Sequence, residues 1–123
     1  MRTALRYFKE NGWEAAVLAV DPKYVESKAD EELLCTIPED QEVIRIPALP
    51  YQWTRRMGFG GIAWRAYGSL ARAGSKLLQE RQYHAVYFSS TVFRTFCLGP
   101  KWLDRFGVPY FIDYHDPWYG PLS

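Results

Sequence analysis

Near its end the chain runs Pro109 to Trp118, PYFIDYHDPW, and there Asp113, His115 and Asp116 follow directly on a short apolar stretch. Carboxylate and imidazole are the side chains that move protons or hold polar ligands near neutral pH. Pro109 to Asp113 reads as a buried strand, broken off at Pro117, and open α/β sheets build ligand sites at the carboxyl ends of their strands. A histidine in that place can donate a hydrogen bond to a polar ligand. The plainer reading is a strand end tied off by Asx turns, with Asp116-Pro117 as turn chemistry. Trp118 suits a lid on the core more than a stacking face for a ligand ring.

A second place to look is set by charge. The chain carries a net +1, but residues 51–83 hold six Lys/Arg against one Glu, while residues 1–50 hold six against ten. The middle third is therefore where an anionic partner fits. Within it, Tyr51 to Arg65 reads as a loop rich in aromatic and basic residues, with Trp53, Arg55, Arg56 and Phe59 ahead of Gly60-Gly61. Such a loop can meet an anionic acceptor through Arg55 and Arg56, or rest on a membrane surface. The ordinary expectation is a solvated loop whose Trp53, Phe59 and Trp64 tuck under the next helix. A third candidate is Ser89-Ser90-Thr91 at a strand-to-helix junction, where exposed amides hold an anion or the hydroxyls simply cap the helix.

The elements that position these residues follow from spacing. Ala4, Leu5 and Phe8 sit on one helical face, and Asn11-Gly12 supplies a left-handed stop. Ala15 to Val20 is a continuous apolar run closed by Asp21-Pro22, the pattern of a parallel strand covered on both faces. Ser27 to Leu34 is a short helix candidate and Glu42 to Ile46 a second strand. A long helix is marked by Ala63, Ala66, Tyr67, Leu70, Gly74, Leu77 and Leu78. Ala85 to Phe88 is the third strand. Val92 to Phe106 reads as a helix with Phe93, Phe96, Cys97 and Leu103 inward, kinked or divided at Gly99-Pro100 and ended by Gly107. This order predicts an α/β fold with a mainly parallel, Rossmann-like sheet.

Composition narrows the class. The 123 residues suit a single domain, and 48% hydrophobic residues argue against disorder. No apolar run approaches the ~20 residues that cross a bilayer, and no signal peptide is evident. Cys35 and Cys97 lack metal-type spacing and suit a reduced, cytoplasmic protein. Near-neutral charge and the lack of a recognised motif argue against a nucleic-acid partner.

The segment Tyr83 to Trp118 resembles the N-terminal half of family 4 glycosyltransferases of the GT-B fold. The matching positions are Ser89 and Ser90, Gly107-Val108-Pro109, and Asp113-Tyr114-His115-Asp116-Pro117-Trp118, which stands where the family often has D-x-R-D-P-W. His115 replaces that arginine; in other branches a histidine near this strand end contacts the donor sugar. The opening helix with Asn11-Gly12-Trp13-Glu14 and the strand Ala15 to Val20 look like the family's first helix and second strand. The resemblance implies an incomplete N-terminal domain, without the family's first strand, its glycine-rich loop and its C-terminal domain. It implies a retaining enzyme that moves a sugar from a nucleotide-sugar donor to a sugar or lipid-linked acceptor, with no tightly held cofactor or metal. His115 and Asp116 would then line the catalytic cleft. Asp113, Trp118, Ser89, Ser90, Arg55 and Arg56 would contact substrate, and residues 51–65 would offer a peripheral contact to the inner face of the membrane. The piece alone is expected to be inactive.

Two other classes fit some of the same residues. Asp113-x-His115 at a strand end is also how metal-dependent phosphoesterases present their first ligands, but that reading needs further His, Asp and Asn ligands. A non-catalytic interaction module would instead work through exposed aromatics, with aromatic residues at 17%.

Overall fold

The computed structural model of the chain describes residues 2–25, 40–55, 58, 61–90 and 93–114. They form a mixed α/β fold of helices and short parallel strand pairs, in two compact units, residues 1–73 and 74–123.

The first unit opens with α1, Arg2–Glu10, which buries Leu5. The stop lies at Asn11-Gly12, as its residues predict. Gly12 takes φ 78°, its N–H donates to Lys9 O at 3.1 Å, and Trp13 N–H donates to Phe8 O at 2.8 Å. This double closure uses the carbonyls a helix end leaves bare, and the positive φ favours glycine. Strand β1, Ala16–Val20, then pairs in parallel with β2, Glu42–Ile46, with Ala16 opposite Glu42 and Val20 opposite Ile46. After β1, Asp21 caps a 3-10 turn at Pro22–Tyr24 by accepting the Lys23 N–H at 3.1 Å. Gln41 ties the start of β2 to Ala15 O.

One expectation fails here. The unbroken apolar run predicts a strand covered on both faces, yet only Val17 of β1 is buried and the rest are half-buried. Among the described residues the sheet has two strands, so there β1 is an edge strand, which packing covers less than a central one. The Ser27 to Leu34 helix lies outside the described residues.

Past Pro50, a helical turn, α2, Tyr51–Arg55, replaces the start of the expected loop. Trp53 N–H donates to Pro50 O at 3.2 Å and Thr54 Oγ1 to Tyr51 O at 3.3 Å, so Pro50 nucleates the turn with a preset φ. The long helix α3 spans Ile62–Glu80. The tryptophans do not tuck beneath it: Trp53 is 76% and Trp64 47% exposed. The buried positions at the start of α3 are Arg65 and Ala66 instead, one and two steps of about 100° round the helix from Trp64.

The second unit holds β3, Val86–Ser90, α4, Phe93–Phe96, α5, Leu98–Phe106, and β4, Tyr110–Tyr114. Strands β3 and β4 pair in parallel, from Val86 opposite Tyr110 to Ser90 opposite Tyr114. The expected single helix is divided, but at Cys97. Pro100 sits in the first turn of α5, where its missing N–H costs nothing, and its ring would meet the carbonyl of Phe96, so α4 ends there. The division resets the helical phase. Leu98, Gly99 and Trp102 turn inward with Phe96, while Phe93, Cys97 and Leu103, expected inside, are exposed. Gly107, at φ 69°, ends α5 with its N–H on Leu103 O at 2.8 Å.

The core of this unit is aromatic. Phe88 stacks on Trp102 at 5.9 Å between centroids and meets Phe96 and Tyr110 edge-on at 6.0 and 6.2 Å, geometries that suit the ring quadrupoles. Two glycines permit it. A Cβ on Gly99 would lie 2.6 Å from the Tyr110 ring, and one on Gly74 would overlap the Trp102 indole. Trp102 Nε1 donates to Ser75 Oγ at 3.1 Å.

Candidate functional site at the carboxyl ends of β3 and β4

Side chains alternate across a strand, so the register of β3 and β4 sorts their residues onto two faces. Phe88, Tyr110 and Tyr114 share the face that meets the helices, with Tyr114 edge-on to Phe96 at 5.3 Å. Tyr87, Ser89, Phe111 and Asp113 share the other. Phe111 on that face is 60% exposed.

Asp113 occupies the penultimate position of β4, half-buried, opposite Ser89. Tyr87, two residues earlier on the neighbouring strand, donates its phenolic O–H to Asp113 Oδ2 at 2.8 Å. Burial first, then this hydrogen bond and the carboxylate's charge, push the Tyr87 pKa above its ordinary value, because each disfavours phenolate. A carboxylate accepts on both oxygens, and the bond from Tyr87 fixes its orientation at the strand end. The result is a held acceptor beside a serine, chemistry suited to hydroxyl-bearing ligands.

The two serines have different places from those expected. Both lie inside β3, with their backbones in the parallel ladder, so neither begins the following helix as a cap or an amide nest; the strand runs two residues past the expected end at Phe88. Ser89 shares the Asp113 face, whereas Ser90 lies opposite Tyr114 on the helix side. Arg55 ends α2 in the first unit. Arg56, His115, Asp116 and Trp118 lie outside the described residues, as do Thr91, Phe59 and Cys35. His84 precedes β3 and is exposed. Among the described residues no three His, Cys, Asp or Glu side chains group as metal ligands, and no helix is long and apolar enough to cross a membrane.

Two residues matter more than the sequence suggested. Tyr87 was legible in principle, since the two-residue period puts it on the face of Ser89 and, through the parallel pairing, of Asp113. Arg65 had no such signal, because an arginine in a basic stretch reads as solvated. At the opposite end of β3 lies an open cavity of about 390 Å³ lined by Leu78, Tyr83, His84, Phe106 and Val108 among others.

Comparison with protein-family models, with curated proteins and with solved structures gives no match.

Proposed function

We propose that this chain is the acceptor-side, Rossmann-like part of a GT-B glycosyltransferase similar to family 4, which moves a sugar from a nucleotide-sugar to an acceptor with retention. The observation that carries the reading is Asp113, held by Tyr87 beside Ser89 at the carboxyl ends of two parallel strands, where α/β sheets bind ligands. The D-Y-H-D-P-W run that continues from it and the Gly107 helix end ahead of β4 support the same reading. In this enzyme Asp113 and Ser89 bind hydroxyls of the sugar substrates. His115 and Asp116, next in the sequence, act in catalysis on the sugar, and a second domain holds the nucleotide.

Ligand-observed NMR on the chain, with nucleotide-sugars and simple glycan acceptors as probes, tests this. Saturation transfer to a glycan that Asp113→Asn abolishes is the expected result. Saturation of neither class overturns the reading. Manganese broadening centred on Asp113, together with hydrolysis of a phosphate ester, would favour a metal-dependent phosphoesterase instead. In an enzyme containing both domains, His115→Ala is expected to lower turnover far more than thermal stability; equal losses would make His115 structural.

A further inference from the structure

We infer that the cavity at the amino-terminal end of β3 binds a small organic cation, a primary ammonium on an apolar body. The cavity is open, has a volume of about 390 Å³, at the small end of ordinary ligand sites, and lies at the other end of the strand from Asp113. Its wall is made by the last turn of α3, the link into β3 and the stretch leading from α5 into β4. Leu78, Phe106 and Val108 supply apolar surface, while Gln79, Glu80 and Gln82 supply polar groups. Tyr83 belongs to the same wall. Its hydroxyl oxygen is buried and has no hydrogen-bond partner among the described residues. A buried hydroxyl left in that state costs the fold stability, and a ligand that reaches it removes the cost.

Charge selects the ligand. Two helices run out at this cavity, α3 at Glu80 and α5 at Phe106. Arg81 N–H closes on Leu77 O at 2.9 Å and Gly107 N–H on Leu103 O at 2.8 Å, but each last turn has further carbonyls without an intrahelical donor. The negative ends of two helix dipoles thus add to the Glu80 carboxylate. Glu80 meets Lys76 at 3.8 Å with both side chains more than half exposed, a surface pair that a closer ammonium replaces at little cost. The same wall already holds a cation against an aromatic ring, since the Arg105 guanidinium lies 5.2 Å from the Phe106 centroid. An anion fits less well. Arg81 and His84, the positive groups it would need, each have interactions of their own. The bound ammonium lies against the helix ends and Glu80, donates one N–H to the Tyr83 oxygen and rests its alkyl chain on Leu78 and Val108.

The test is titration of the chain with n-butylammonium, and with butyrate and butanol as probes of similar length and different charge, followed by amide chemical shifts. Expected are saturable shifts with the ammonium from Leu78 to His84 and at Phe106 and Val108, and binding at least about tenfold weaker for butanol, which makes no charge-assisted bonds. Tyr83→Phe should weaken ammonium binding about tenfold. It should leave the ligand-free thermal transition in place or raise it, because it removes an unsatisfied hydroxyl. Glu80→Gln is the second variant, at an exposed position, and should weaken binding of the ammonium but not of butanol. The outcome is independent of the sugar site, whose residues lie at the other end of the strands. The proposal is overturned if the ammonium gives no saturable shifts at these residues, or if neither variant weakens its binding. Butyrate binding as tightly as the ammonium overturns it too, by making the cavity an anion site of Arg81 and His84. So does a lowered thermal transition in Tyr83→Phe, which would make the hydroxyl part of the fold.

Discussion

Tyr87 and Asp113 are joined across β3 and β4 by a 2.8 Å hydrogen bond, phenol to carboxylate, on the sheet face turned away from α4 and α5. The bond ties a residue early in one strand to the carboxyl end of the next. It therefore serves the site and the fold together, and the two roles separate by pH.

Tyr87 holds its proton more tightly in the folded chain than unfolded, first through burial and then through the bond to Asp113. Stability drawn from that preference is complete below the unfolded tyrosine value of about 10 and falls as pH climbs through the raised folded value. Urea midpoints measured from neutral pH to beyond about pH 10 should show this alkaline decline. Tyr87→Phe should cost about 1 kcal/mol at neutral pH through the lost bond and should flatten the alkaline limb. Parallel limbs in the two proteins would assign the decline to other groups.

Buried Arg65 makes a second prediction. Its guanidinium reaches two carbonyls at once, Leu49 O and Tyr24 O, a fork that a lysine ammonium on its single axis does not reproduce. Arg65→Lys should recover little of the loss caused by Arg65→Met. Each should cost on the order of 2 kcal/mol, since two part-buried carbonyls lose charged donors. Limited proteolysis should then cut near Tyr51–Arg55 first. Resistance equal to that of the parent chain would mean Arg65 is not what fixes the segment.

How far the sequence carried this fold depends on whether a local rule decided the outcome. The stop at Asn11-Gly12, the end of α5 at Gly107, the pairing-competent runs of β2 and β4 and the extent of α3 all rest on glycine conformation or apolar period, and each stands where its residues put it. The errors came where two local rules compete. Gly99-Pro100 predicts a kinked or divided helix, and the helix is divided, but at Cys97 with Pro100 in the first turn of the second piece, which leaves Phe93, Cys97 and Leu103 exposed. Ser89 and Ser90 are expected at a strand-to-helix junction just past β3, but the parallel ladder with β4 extends β3 through both. Burial of Arg65 depends on carbonyls of Tyr24 and Leu49, distant in sequence or outside any motif, and no spacing rule announces them. At the candidate site the aspartate was legible from its strand end, and its tyrosine partner only once the register was known.

The glycine pair under the aromatic core gives a third prediction. Gly74 lies against the Trp102 indole and Gly99 against the Tyr110 ring, so Gly74→Ala and Gly99→Ala each force rings from their places. The expected cost is about 1–3 kcal/mol each, the usual range for overpacking, even though alanine is the better helix former. The discriminating measurement is a double-mutant cycle by thermal melting. Trp102→Leu, with a smaller side chain, should restore part of the loss in Gly74→Ala and none of it in Gly99→Ala. Losses that add without coupling would show that Gly74 matters for something other than room for Trp102.

Phe111 supplies the last. It is 60% exposed on the same sheet face as Tyr87 and Asp113, and a large exposed ring on a sheet face invites self-association. Concentration-dependent oligomers should therefore be visible by sedimentation, and Phe111→Lys should suppress them by adding charge where a second copy would pack. Oligomers that persist unchanged in Phe111→Lys would show that this sheet face is not the contact.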